Sequence, residues 1–88
     1  MCTNIVESAQ VAAWGKGPRG WFDVKQVCVS FDHPYHAPLE HAVNIDFLNE
    51  AEGVSARLAV ELTPESAKEL IRVLQAALAR GEAEGVRA

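Results

Sequence analysis

Two stretches of the chain alternate apolar and polar side chains with a period of two. In the first, Val43, Ile45 and Phe47 oppose Ala42, Asn44 and Asp46; in the second, Ala56, Leu58, Val60 and Leu62 oppose Ser55, Arg57, Ala59 and Glu61. Successive strand side chains point to opposite faces, so these stretches predict β-strands at about 41–48 and 55–62, each with one apolar face. Two earlier apolar runs, Thr3 to Trp14 and Trp21 to Asp32 with Val24, Val27, Val29 and Phe31, predict strands at about 3–14 and 21–32. Turn residues separate the runs at Gly15–Gly20, His33–Pro38 and Asn49–Gly53.

After Glu61 the period becomes helical. Ala67, Leu70, Ile71, Leu74 and Leu78 share one face of a helix, with Val73 and Ala77 widening it. Thr63 is the N-cap, Pro64 suits the first turn and Gly81 marks a stop, which predicts a helix over about 64–80 and a tail over about 81–88. Short connections make neighbours of consecutive strands. The expected fold is α+β: a single domain over residues 1–88, built as a four-stranded antiparallel meander sheet with one C-terminal helix packed on one face. Pairing Phe31 with Val43 and Val29 with Ile45 brings Leu58, Val60 and Leu62 onto the same face, so register and hydrophobic pattern agree.

Eighty-eight residues permit one domain, and hiding only about 60% of the unfolded chain's surface leaves it in need of a stabilising aid. Two cysteines are too few for a disulfide framework, which leaves a metal or a second subunit. One helix covers one face of four strands only in part, so a homodimer is expected. The net charge of −4 with scattered basic residues argues against nucleic acid as a partner. No apolar run approaches the length of about 18 residues that a membrane span requires, and no apolar leader opens the chain, so the expectation is a cytoplasmic protein with no membrane partner.

The three histidines, His33, His36 and His41, fall within the segment Asp32-His33-Pro34-Tyr35-His36-Ala37-Pro38-Leu39-Glu40-His41. Imidazole is a common transition-metal ligand, and three of them leave an open coordination position. Asp32 and Glu40 are further candidate ligands, or acceptors for a ligand histidine's second N–H. The hairpin arithmetic carries the chain start to this loop, which adds Cys2 as a fourth ligand or as a nucleophile beside a histidine. The expected cofactor is accordingly a transition metal, zinc, copper or iron. The bland reading of the same residues is a histidine-rich loop that closes a hairpin, with an inert terminal thiol.

Gly15, Gly17 and Gly20 match the dinucleotide-binding spacing, but Pro18 interrupts them and a strand follows where that site needs a helix. Trp14 and Trp21 read as a packing pair across the hairpin. Ser30, Cys28, Asn44, Asp46, Arg57 and Glu61 fall on the polar face of the sheet, as a solvated surface, a dimer interface or a ligand pocket.

The Met1-Cys2-Thr3 opening, the segment Gly17 to Phe22, the histidine stretch from His33 to His41, Asn44 to Leu48, and Val60 to Thr63 with the following helix resemble a family of small actinobacterial proteins of unknown function. The resemblance spans nearly the whole chain and implies a free-standing protein, but no activity. The leading functional expectation is a small metal-binding protein with a three-histidine site. The alternatives are a metal-free homodimeric interaction or ligand-binding module, and a Cys2 nucleophile enzyme.

Overall fold

The computed structural model describes residues 3–87. Its elements are β1 (Ile5–Gly17), β2 (Gly20–Asp32), β3 (Ala42–Leu48), a single 3₁₀ turn (Glu50–Glu52), β4 (Arg57–Leu62) and α1 (Pro64–Ala83). The four strands form one antiparallel sheet in the order β1-β2-β3-β4, and α1 packs against β3 and β4. Pairing is Phe31 with Val43 and Val29 with Ile45, then Val43 with Leu62 and Ile45 with Val60. Alternation thus gathers Val27, Val29, Phe31, Val43, Ile45, Phe47, Leu58, Val60 and Leu62 on one face, and leaves Ser30, Asn44, Asp46 and Glu61 on the other.

The first hairpin is tighter than the glycine cluster suggests. Both strands run up to a two-residue turn at Pro18-Arg19, and a register shift between Gln10 and Ala13 absorbs the difference, so Trp14 faces Asp23 and Lys16 faces Trp21. The tryptophans are not directly opposed, and both are about 70% exposed, at 70% and 71%. The nearby glycines serve close packing. A Cβ at Gly15 would lie 3.2 Å from Val24 Cγ2, and one at Gly17 would lie 3.2 Å from Phe22 Cε1. Val24 is buried there, beside a second anchor: buried Asn49 donates from Nδ2 to the Asp23 carbonyl (3.0 Å) and to Glu52 (2.9 Å), while its Oδ1 accepts from the Ala51 N–H.

The helix starts as predicted. Thr63 Oγ1 accepts the Ser66 N–H at 3.0 Å, and Pro64 takes the first position. It runs through Gly81 and stops at Ala83, because the turn that ends it lies further on. Gly85 adopts a φ of 69°, its N–H reaches the Glu82 carbonyl at 3.1 Å, and the Val86 N–H reaches the Gly81 carbonyl at 3.0 Å. These two bonds form a Schellman cap, in which a glycine takes the left-handed position. Gly81 is therefore a helix-interior glycine with open space where its Cβ would stand. Replacing it with alanine should raise stability by about 0.5–1 kcal/mol, because glycine loses more backbone freedom on entering a helix. Thermal melting should show this as a rise of a few degrees; an unchanged or lower midpoint would contradict it.

The interior is small. Among the described residues Val24, Ala42 and Ala56 are its buried hydrophobic residues, and no residue of α1 is buried. Leu70, Ile71, Leu74 and Leu78 are exposed by 38%, 54%, 54% and 66%. Exposure rises along the helix, so contact with the sheet is concentrated in the first turns, where Ala67 is half-buried.

Candidate functional site

On the polar face a cleft of about 620 Å³ opens between the strands and the loop that joins β2 to β3. Ser30 of β2, Asn44 and Asp46 of β3, and Arg57 and Glu61 of β4 form its floor, and His33, Tyr35 and His36 stand at its edge. Strand alternation places these floor residues together, since Ser30 pairs with Asn44 and Asn44 with Glu61.

Glu61 holds the loop in place. Its carboxylate accepts three successive backbone N–H groups: Tyr35 at 2.6 Å, His36 at 3.0 Å to both oxygens, and Ala37 at 2.7 Å. Pro34 and Pro38 flank these donors and have no N–H of their own, so the loop concentrates its donors on one acceptor. The Ala37 hydrogen bond does most to draw the Glu61 pKa below its ordinary value, partial burial works against it, and the His36 and Tyr35 N–H groups and the nearby His36 ring add to the lowering. A carboxylate so engaged is a poor general base.

Elsewhere on the floor, Asn44 Nδ2 donates to Ser30 Oγ at 3.2 Å and to the Asp32 carbonyl at 3.3 Å. Asn44 Oδ1 is buried without a hydrogen-bond partner among the described residues. Arg57 directs Nη2 and Nε at one oxygen of Asp46, at 2.7 and 2.9 Å, in a diagonal pair across β3 and β4.

The structure separates the predicted ligands. His33 Nδ1 lies 3.1 Å from the Glu40 carbonyl oxygen, and the His33 N–H donates to Asp32 Oδ1 at 2.7 Å. His41 lies elsewhere: its ring stacks on Phe31 with centroids 6.0 Å apart and an interplanar angle of 12°, on the apolar face. His33 and His36 line the cleft on the polar face. Among the described residues no group of three or more histidine, cysteine, aspartate or glutamate side chains is placed to hold a metal ion. This corrects the expectation of a histidine cluster binding zinc, copper or iron through His33, His36, His41, Asp32 and Glu40. The physical reason is the alternation of β3: a side chain one residue before Ala42 belongs to the face of Val43 and Ile45, not to the loop's cleft.

Cys2, both as fourth ligand and as nucleophile, lies outside the described residues. The chain does approach the loop, since the Thr3 hydroxyl donates to the Phe31 carbonyl, beside His33. Cys28 is a half-buried free thiol on β2. Sequence reasoning did not single out Glu61 as the loop's anchor. The usable signal was the set of three loop N–H groups between two prolines, which need an acceptor wherever they are shielded from water.

Among the described residues no helix is long and apolar enough to cross a membrane. A family model described as a family of unknown function, DUF6295, matches residues 1–87. No curated protein and no solved structure matches the chain.

Proposed function

The chain belongs to the DUF6295 family, whose function is unknown, and we propose that it works as a homodimeric interaction module without a bound metal. The observation that carries this reading is its surface. The chain exposes 7015 Å², whereas a compact monomer of its mass, 9.5 kDa, exposes about 5,000 Å². Its radius of gyration is 14.7 Å, against about 12 Å for a compact domain of this length. Large apolar side chains contribute to it: Ile5, Trp14, Trp21, Phe31, Leu58 and Val60 on the sheet and Leu70, Ile71, Leu74 and Leu78 on the helix are all exposed. An excess of about 2,000 Å² per chain fits the area that each protomer of an obligate homodimer removes from water.

If folding and association are one event, the melting midpoint depends on protein concentration. Scans over a hundredfold concentration range should show the midpoint rising with concentration. A constant midpoint with a monomeric mass would refute the module's dimeric character.

The cleft supports a second role for the same module, as the seat of a small polar ligand. Its volume lies in the range of about 300–1,000 Å³ common to small-molecule sites, and guanidinium, hydroxyl, amide and imidazole groups line it. A fragment library observed by amide NMR should perturb residues 30, 36, 44 and 57 together; perturbations scattered over the surface would remove this role.

A further inference from the structure

The amphipathic helix and the apolar sheet face are complementary surfaces on one chain: the helix stripe is exposed, and the sheet face is only half-covered, with Phe31, Leu58 and Val60 exposed. We infer that in the dimer each helix crosses to the other protomer and covers its partner's apolar sheet face. This inference rests on the dimeric reading and adds its architecture.

The departure of the helix is fixed locally. Only Thr63 separates β4 from α1, its backbone is extended at φ −64° and ψ 154°, and its side chain is committed to capping Ser66. Pro64 then locks the first helical residue near a φ of about −65°. A helix of twenty residues extends about 30 Å, and with its start so constrained it carries Leu70, Ile71, Leu74 and Leu78 progressively away from the sheet that launched it. The first turns therefore rest on the helix's own β3 and β4, while the later turns stand clear of them.

Three simple symmetric arrangements of two copies differ in what they leave wet. Stacking sheet on sheet buries Phe31, Leu58 and Val60 but leaves the helix stripes in water. Pairing helix with helix buries Leu70, Leu74 and Leu78 but leaves Phe31, Leu58 and Val60 of the sheet exposed. Exchange of helices covers both surfaces of both chains under one two-fold axis, with nothing apolar of this set left over. It also makes the best use of the area each chain has in excess, since the two surfaces are then removed from water together. A foreign partner would have to supply both a helix-like ridge and a flat apolar face, whereas a second copy carries both.

The test is an isotope-filtered NOE experiment on unmodified protein, refolded from an equal mixture of labelled and unlabelled chains. Intermolecular NOEs between the methyl groups of Leu70, Leu74 or Leu78 and those of Leu58 or Val60 are the expected result. Intermolecular NOEs from helix to helix alone or from sheet to sheet alone would overturn helix exchange while leaving the dimer standing, as would helix-to-sheet NOEs found only within one chain. A monomeric mass in the same sample would overturn the dimeric reading beneath it. Chemical cross-linking gives an independent readout in a Cys2→Ser, Cys28→Ser background. Chains carrying Val60→Cys and chains carrying Leu74→Cys should form a disulfide-linked pair when mixed and refolded, and at least tenfold less when either is oxidised alone.

Discussion

Leu74→Asp should weaken the dimer by about a thousandfold and leave most of the protein unfolded at micromolar concentration. Leu74 is 54% exposed in the single chain. In an isolated monomer, a polar substitution at such a position on a helix changes stability by about 0.5 kcal/mol or less. In a dimer that seats Leu74 against a partner's sheet, each copy loses about 2 kcal/mol of apolar burial, and two copies lose about 4 kcal/mol. Since about 1.4 kcal/mol is a factor of ten, this is roughly three orders of magnitude in the dissociation constant, before the cost of desolvating the new carboxylates. Light scattering coupled to size exclusion gives the mass, and far-ultraviolet circular dichroism gives the fold. A variant that keeps both the wild-type mass and the wild-type melting curve would show that the stripe is in water in solution as well.

Glu61→Gln should free the loop that carries His33 and His36. Gln offers one acceptor oxygen and turns an N–H group toward the other donors, so the three loop amides cannot all remain paired. Hydrogen exchange at Tyr35, His36 and Ala37 should accelerate by at least tenfold, while exchange at the β2 and β3 amides changes little. The same contact predicts the direction of acid sensitivity. Because folding lowers the Glu61 pKa, chiefly through the Ala37 N–H, its contribution to stability is fully present above the unfolded-state value of about 4.3 and is lost as pH falls through the lowered folded value. The stability gap between wild type and Glu61→Gln should therefore be largest near neutrality and close as the solution is acidified below about pH 4. A gap that does not change with pH would mean that the carboxylate's charge is not what holds the loop.

The strand order and register were legible because the polar and apolar faces of β3 and β4 alternate without interruption, and a slip of one residue would have placed Ile45 and Val60 with Asp46 and Glu61. The helix start was equally readable, since Thr63 and Pro64 are capping chemistry with a local cause. Its end was not, because two glycines compete: Gly81 is tolerated inside the helix while Gly85 takes the left-handed cap. In the first hairpin, the glycine cluster suggested a long loop, whereas Gly15 and Gly17 are strand residues that let Val24 and Phe22 approach.

The histidines show the same lesson at the site. Three imidazoles within nine residues are close in sequence, but the strand that begins at Ala42 commits His41 to the apolar face, where it stacks on Phe31. Sequence proximity in a loop does not survive the first residue of a strand's alternation. The anchor that does organise the loop, Glu61, comes from β4, and its role depends on a contact twenty-four residues or more away in sequence. The polar pattern of β4 gave no reason to prefer it to any other solvated residue on that face.

Sedimentation equilibrium of the untagged protein at low micromolar concentration decides whether this chain is half of a folding unit. The expected mass is twice that of the 9.5 kDa chain, with dissociation and loss of structure occurring together on dilution. A mass of one chain that unfolds cooperatively at a midpoint independent of concentration would contradict it.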